Sequence, residues 1–187
     1  HLCVDSLDTG IQVVNGLQRL VSRMTDPLEP VVLTVGTFHS GSTFNVIPGR
    51  AEMSGTTRTF NQAIWQSWEE RITRVVSGIC QSMGAEFELN FIKGFPPLSN
   101  HPGTTDFVRQ AAVDTVGRSQ VVAQAQTMGG EDMAFFLERV PGCYVFLGVG
   151  EKGRAPVHNP HFDFDESVLA IGTELFCRAA KDLLIQI

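Results

Sequence analysis

Between Asp5 and Met24 the apolar residues Leu7, Ile11, Val14, Leu17, Val21 and Met24 recur at steps of three and four. That spacing places side chains on one face of an amphipathic helix. Asp5 or Ser6 can cap its start, and Thr25-Asp26-Pro27 ends it. Val31, Leu33 and Val35 then alternate with Val32, Thr34 and Gly36, which predicts a strand. A second strand is expected over Ala51–Arg58, after a turn at Pro48-Gly49, with a polar face at its even positions that reaches Arg58. Asn61 precedes a helix whose Ile64, Trp68, Ile72, Val75, Ile79 and Met83 share a face, and Gly84 stands where a helix C-cap belongs. Ala85, Phe87, Leu89 and Phe91 alternate again and predict a third strand.

The order helix, strand, strand, helix, strand lacks only an opening strand to make the split βαββαβ layout of ferredoxin-like domains. The chain is therefore expected to start partway through a domain. After Gly94-Phe95-Pro96-Pro97 the pattern changes to an α/β alternation. It comprises a helix over Thr104–Val116, a short strand over Val121–Ala125, a helix around Asp132–Leu137, the apolar run Tyr144–Gly148 and a last helix from Ser167 to Ile187. Runs that are apolar on both faces belong to buried, often parallel strands. Two strands do not make a stable sheet of that kind, so the rest is expected from residues outside the sequence.

The 187 residues suit two units and, at 43% hydrophobic and 18% charged, an ordinary globular core. A net charge of -6 without a run of Lys or Arg argues against a nucleic-acid partner. No apolar stretch approaches the roughly 20 residues that span a bilayer, and the N-terminus lacks a signal-peptide layout. A leader removed upstream of His1 stays open. Cys3, Cys80, Cys143 and Cys177 lie far apart with no Cys-x-x-Cys spacing, so buried free thiols and a cytoplasmic location are expected.

Candidate chemistry gathers in a few places. His158 sits on a loop between an apolar run and the last helix, flanked by Pro156 and Pro160 and followed by Asp163, Asp165 and Glu166. Neutral imidazole is a good ligand for zinc and similar ions, yet one such ligand cannot hold a catalytic metal, and a plain surface histidine has the same sequence. Pro160 spoils a shared helical presentation of His158 and His161, so His161 is read as structural; His1, His39 and His101 are read the same way.

In Met128-Gly129-Gly130-Glu131-Asp132 two glycines let backbone approach a ligand at a helix start, although acids there also make an ordinary helix entry. Glu131 is either an active-site carboxylate or a helix cap. Asn45 can satisfy its own turn, or it can converge with Arg58 on a substrate carboxylate, for which a guanidinium fork is well matched. No Gly-x-Ser-x-Gly elbow, Walker loop or dinucleotide fingerprint is present.

Several blocks taken in order resemble one family. They are Leu17–Arg23, Asn45-Val46-Ile47-Pro48, Gly55–Phe60, Gly129–Met133, Pro141-Gly142, Leu147-Gly148 and His158–Asp163. Together they resemble the metal-dependent amidohydrolases that include hippurate hydrolase, N-acyl-amino-acid amidohydrolases and auxin-conjugate hydrolases, relatives of aminoacylase and zinc carboxypeptidases.

The resemblance implies a ferredoxin-like lid and dimerisation domain over residues 1–95, with its opening strand missing. It implies the C-terminal part of an α/β zinc-peptidase-like catalytic domain over residues 96–187. It implies two divalent metals, zinc or manganese, in the intact site, with His158 as the C-terminal metal ligand. Asn45 and Arg58 match lid residues that grip the substrate carboxylate, with Asn45 reaching a partner subunit's site in a homodimer. Gly129, Gly130 and Glu131 match a substrate-side motif.

The implied activity is hydrolysis of the amide bond of N-acyl-amino acids by a metal-activated water. The family's Cys-Gly-His-type metal motif, its paired glutamates and its lid Gly-Gly-His are not in the sequence. The 187 residues are accordingly expected to be inactive without an N-terminal catalytic half. The alternative from another class is a non-catalytic dimerisation or ligand-binding module built on the lid. Met133 stands where relatives usually have Phe.

Overall fold

A computed structural model describes residues 1–122, 126–150 and 153–185. It divides into two compact units. One contains His1–Pro97 together with Met128–Glu131, and the other contains Leu98–Thr127 and Asp132–Ile187.

In the first unit two helices cover one face of a hairpin. Helix α1, Ser6–Ser22, starts at Asp5, whose carboxylate accepts from the Leu7 and Asp8 amides. That satisfies donors a helix start otherwise leaves orphaned. Strands β1, Val31–Ser40, and β2, Ala51–Thr59, pair antiparallel. Helix α2, Gln62–Met83, is capped by the Asn61 side chain at one end and by left-handed Gly84 at the other, where the Ala85 amide reaches back to the Cys80 carbonyl.

The core is Val13, Leu17, Leu20, Leu33, Ile64, Trp68, Ile72, Val76 and Cys80. Trp68 and Leu20 are almost wholly enclosed, and full burial of such a side chain contributes about 1.5–3 kcal/mol. The buried row of α2 steps by four from Ile64 through Cys80. Val75 and Ile79, expected on the buried face, pack at the rim of the cluster instead.

Strand β1 runs past Gly36, where the alternation in sequence stops, because a bulge lies between Val35 and Thr37. The extra residue resets which parity faces the core, and the outward-facing Thr37 hydroxyl bonds that of Ser54 at 2.6 Å. His39 lies opposite Glu52 in the ladder, in keeping with a structural part.

The expected third strand is not formed. Residues 85–91 carry no ladder, and the two-stranded β1–β2 sheet is the only one among the described residues. Ala85 and Phe91 do pack against the core, whereas Phe87 and Leu89 on the same side of the alternation stay exposed. The period-two pattern reported burial correctly at its ends, but a strand also requires a neighbour to take its amides.

The second unit is helical. Helix α3, Pro102–Val116, is capped by the His101 ring, whose Nδ1 lies 3.3 Å from the Thr104 amide, which gives His101 a structural part. It packs on helix α5, Val168–Ile185, and each helix buries one alanine, Ala111 and Ala179. Helix α4 is short, Met133–Leu137.

Tyr144–Gly148 is not a strand, contrary to the expectation. Its first residue bonds a side chain instead: Asn100 donates to the Tyr144 carbonyl and accepts from its amide, both at 2.8 Å. Val121 and Val122 are likewise not in a strand, and 123–125, the rest of that expected strand, lie outside the described residues. The architecture is mixed α and β with one small sheet.

Candidate functional site

Arg58 sits on β2 opposite Val32, one step from the end of the ladder. The residue is exposed, and no carboxylate among the described residues pairs with its guanidinium. Gly130 lies against it within the first unit. A methyl group on Gly130 would stand 3.5 Å from Arg58 Nη1 and 2.8 Å from Phe95 Cδ2. Two motifs far apart in sequence thus meet, and Gly130 has no side chain where a larger residue would collide. A guanidinium fork beside closely approaching backbone is an arrangement that can hold a carboxylate.

The helix that follows does little for this. Helix α4 has five residues, and Asp132 makes no side-chain cap bond. The helix-start contribution read from the sequence is therefore weak, because the dipole effect needs a longer helix. Glu131 is half-buried beside Gly130 and has interactions of its own.

Asn45 is elsewhere. It lies in the loop joining β1 to β2, exposed, with the Thr43 hydroxyl bonded to its Oδ1 at 3.2 Å. From Ala51 to Arg58 the strand extends for about 23 Å at ~3.3 Å per residue. One chain therefore cannot bring Asn45 and Arg58 to the same carboxylate, and their convergence within one chain is corrected. The hairpin that separates them also exposes Phe44, Val46 and Ile47 around Asn45.

His158 belongs to the second unit. It is the one non-glycine residue with positive φ among the described residues, at 68°. The Asn159 amide bonds the Pro156 carbonyl at 3.2 Å, so His158 occupies the third position of a tight turn, where left-handed backbone favours Gly or Asn. Non-glycine residues are uncommon there, and such strain clusters at functional sites. Asn159 also accepts from the His161 amide through its side chain and the Phe162 amide through its carbonyl, which fixes the next turn.

Further along, Asp165 Oδ1 accepts from the Ser167 amide at 2.9 Å. That bond, the Ser167 hydroxyl and the charge of Arg154 hold its carboxyl below the usual aspartate range. Burial pushes the Cys80 thiol up. Cys3 and Cys177 are exposed, which corrects the expectation that all four thiols are buried.

Zinc is held by three or four nitrogen, sulfur or carboxylate donors. No group of three or more His, Cys, Asp or Glu among the described residues could hold a metal ion. His158 does not by itself make a metal site, and the described residues do not form one.

Sequence comparison decides the family. The profile of peptidase family M20/M25/M40 matches residues 5–182. The chain belongs to peptidase family M20/M25/M40. Among members of this M20 group, an N-acetylcysteine deacetylase of Bacillus subtilis is 34% identical over 181 residues, covering 97% of this chain and 47% of the relative. Thermostable carboxypeptidase 2 of Saccharolobus solfataricus is 34% identical over 176 residues, covering 92% of this chain and 44% of the relative. The crystal structure of the Bacillus subtilis YXEP protein, described as a dinuclear metal binding peptidase from the M20 family, matches with a TM-score of 0.81 at 31% identity, covering 98% of this chain and 47% of that one. The chain thus spans a little under half the length of these M20 relatives. The family resemblance read from the motifs holds, and M20 members are hydrolases of amide and peptide bonds.

Sequence reading did not single out Phe95 or Asn100. Phe95 stood in the Gly-Phe-Pro-Pro segment that marks the change of pattern, and its only signal was an aromatic residue set before two prolines.

Proposed function

We propose that these 187 residues supply the carboxylate-recognition part of an M20 amidohydrolase that cleaves N-acyl-amino acids. The observation that carries this reading is the close approach of Gly130 to the Arg58 guanidinium. An N-acyl-amino acid offers one permanent anion next to the scissile amide, and a rigid guanidinium with nearby glycine backbone suits that anion. Gripping it orients the amide before reaction, and orientation of this kind contributes strongly to catalysis. Glu131, next in the chain, is the candidate for acid–base work on the substrate side.

His158 is proposed as one donor to a metal whose other donors lie outside these residues. Zinc or manganese, two per site, is the family expectation, and the bound metal would supply Lewis acidity. The remaining catalytic half would cover the apolar side chains that the second unit exposes, among them Phe146, Phe176 and Leu184. The first unit is proposed to be part of the ferredoxin-like lid, in which a strand beyond these residues would also give residues 85–91 a partner to pair with, and to pair two copies so that Asn45 of one serves the Arg58 site of the other. A cytoplasmic location goes with this reading, and no helix is long and apolar enough to cross a membrane among the described residues.

The test has two arms. Calorimetric titration of the chain with N-acetyl-L-leucine is expected to show binding that Arg58→Gln removes. Incubation of the chain alone with that compound and zinc or manganese is expected to release no free amine. Binding that is indifferent to Arg58 would overturn the recognition reading, and turnover by the chain alone would overturn the division of labour.

A further inference from the structure

Phe95 is held by its neighbours in a way that suits a wall rather than a linker. Two residues before it, Lys93 Nζ sits 4.3 Å from the centre of the Trp65 ring on α2, an attraction between a cation and an aromatic face. One residue after it, Pro96 is buried. A residue that precedes proline is restricted to extended backbone, so Phe95 is pegged on both sides with little freedom between. The residue nevertheless remains 45% exposed.

The same ring borders the Gly130 position. The methyl position on Gly130 lies 2.8 Å from Phe95 Cδ2 and 3.5 Å from Arg58 Nη1, so ring and guanidinium border the same glycine. The ring of a half-exposed residue beside a guanidinium and bare glycine backbone presents one apolar surface directly next to one anion site. A ligand whose carboxylate meets Arg58 carries its amino-acid side chain on the atom next to that carboxylate, within reach of an aromatic face.

We infer that Phe95 is a specificity-determining residue: its ring contacts the side chain of the amino-acid portion and favours apolar side chains over none. This rests on the carboxylate reading of Arg58 and adds to it the chemical class preferred at the adjoining position. Removing the ring removes the preference and leaves the anion contact in place.

The test uses the 187-residue chain labelled with nitrogen-15 and two ligands, N-acetyl-L-leucine and N-acetylglycine. Shifts of the Gly130 amide and the Arg58 Nε–H signals are followed as each is added. The wild-type chain is expected to bind N-acetyl-L-leucine at least fivefold more tightly, because covering an apolar side chain with the ring removes both from water. Phe95→Ala is expected to bring the ratio near one while both ligands still move the Arg58 signal. Phe95→Leu, which keeps an apolar side chain if the alanine variant does not fold, is expected to retain most of the preference.

An unchanged ratio in Phe95→Ala, or no preference in the wild type, overturns the role of Phe95 and leaves the carboxylate reading standing. Absence of any shift at Arg58 with either ligand overturns the carboxylate reading and this inference with it.

Discussion

Gly130 and Phe95 are neighbours in space because position 130 lacks a side chain: a Cβ there would collide with the ring of Phe95 at 2.8 Å, whereas its 3.5 Å from Nη1 of Arg58 is an ordinary contact. The glycine is therefore a steric requirement of the ring's place beside the arginine rather than a flexible joint.

Gly130→Ala is expected to displace the ring of Phe95 and weaken N-acetyl-amino-acid binding about tenfold, near 1.4 kcal/mol. Gly148 has nothing within 4 Å of the corresponding methyl position, so Gly148→Ala is the control and should leave affinity within twofold. Isothermal titration of both variants decides it, and equal affinities would remove the steric argument.

The hairpin makes a second forecast. Because Asn45 lies in the loop between β1 and β2 and Arg58 near the far end of β2, they are proposed to serve one ligand across two copies. Chains carrying Asn45→Ala and Arg58→Gln, each deficient in binding, are expected to recover about a quarter of the sites when mixed and allowed to exchange, as random pairing of a two-fold dimer gives. A stoichiometry from titration that stays at zero, or a monomer by light scattering, would reject the exchange of Asn45.

Two glycines test the packing of the first unit in opposite directions. A Cβ at Gly55 would collide with the Thr34 carbonyl oxygen, which is backbone and cannot step aside. Gly55→Ala is therefore expected to destabilise the hairpin by about 2 kcal/mol or more, in the range of overpacking changes. Gly78 is an exposed helical glycine with nothing within 4 Å, so Gly78→Ala should stabilise by ~0.5–1 kcal/mol through helix propensity. Urea unfolding of both variants measures the two signs, and a neutral Gly55→Ala would show that the strands can shift.

How much of this could be read from the chain depends on which force acted. The caps were legible, because Asp5, Asn61 and Gly84 act locally within a few residues of their own sequence. Trp68 and Ile72 were legible through helical spacing. The end of β1 was not, because the bulge at Gly36 shifts the parity on which an alternation reading depends. Residues 85–91 and Tyr144–Gly148 read as strands because apolar patterning reports burial, whereas a strand needs a partner the pattern does not name. Arg58, Gly129 and Gly130 were proposed from their residue types and again through family motifs, because a guanidinium and a glycine pair each suggest their chemistry without the fold. The wall at Phe95 was missed, since only the fold brings a proline-bounded corner against a glycine pair.

Acid should reach the second unit through one carboxylate. The Ser167 amide and hydroxyl, with Arg154, hold Asp165 below the ordinary aspartate range. A depressed carboxyl binds fewer protons in the folded state, so its contribution is complete above the ordinary carboxylate pKa and is lost as pH falls through the depressed value. Carbon-13 titration of the Asp165 carboxyl is expected to give a midpoint below that of an unstructured peptide. Asp165→Asn should flatten the acid limb of helix α5 unfolding, and an ordinary midpoint would show that the Ser167 bond does not persist in solution.

His158 sets stability against chemistry at one position. Left-handed backbone at 68° costs a residue with a Cβ of the order of 1–2 kcal/mol, and glycine carries no such cost. His158→Gly is expected to raise the resistance of the second unit to urea by about 1 kcal/mol, whereas His158→Val, branched at Cβ, should lower it. If the imidazole is a metal donor, the same stabilising glycine, placed in a complete M20 enzyme containing this chain, must lower the bound metal measured by mass spectrometry. A histidine kept only for its turn would lose nothing on becoming glycine, so full metal content in the His158→Gly enzyme would end its assignment as a ligand.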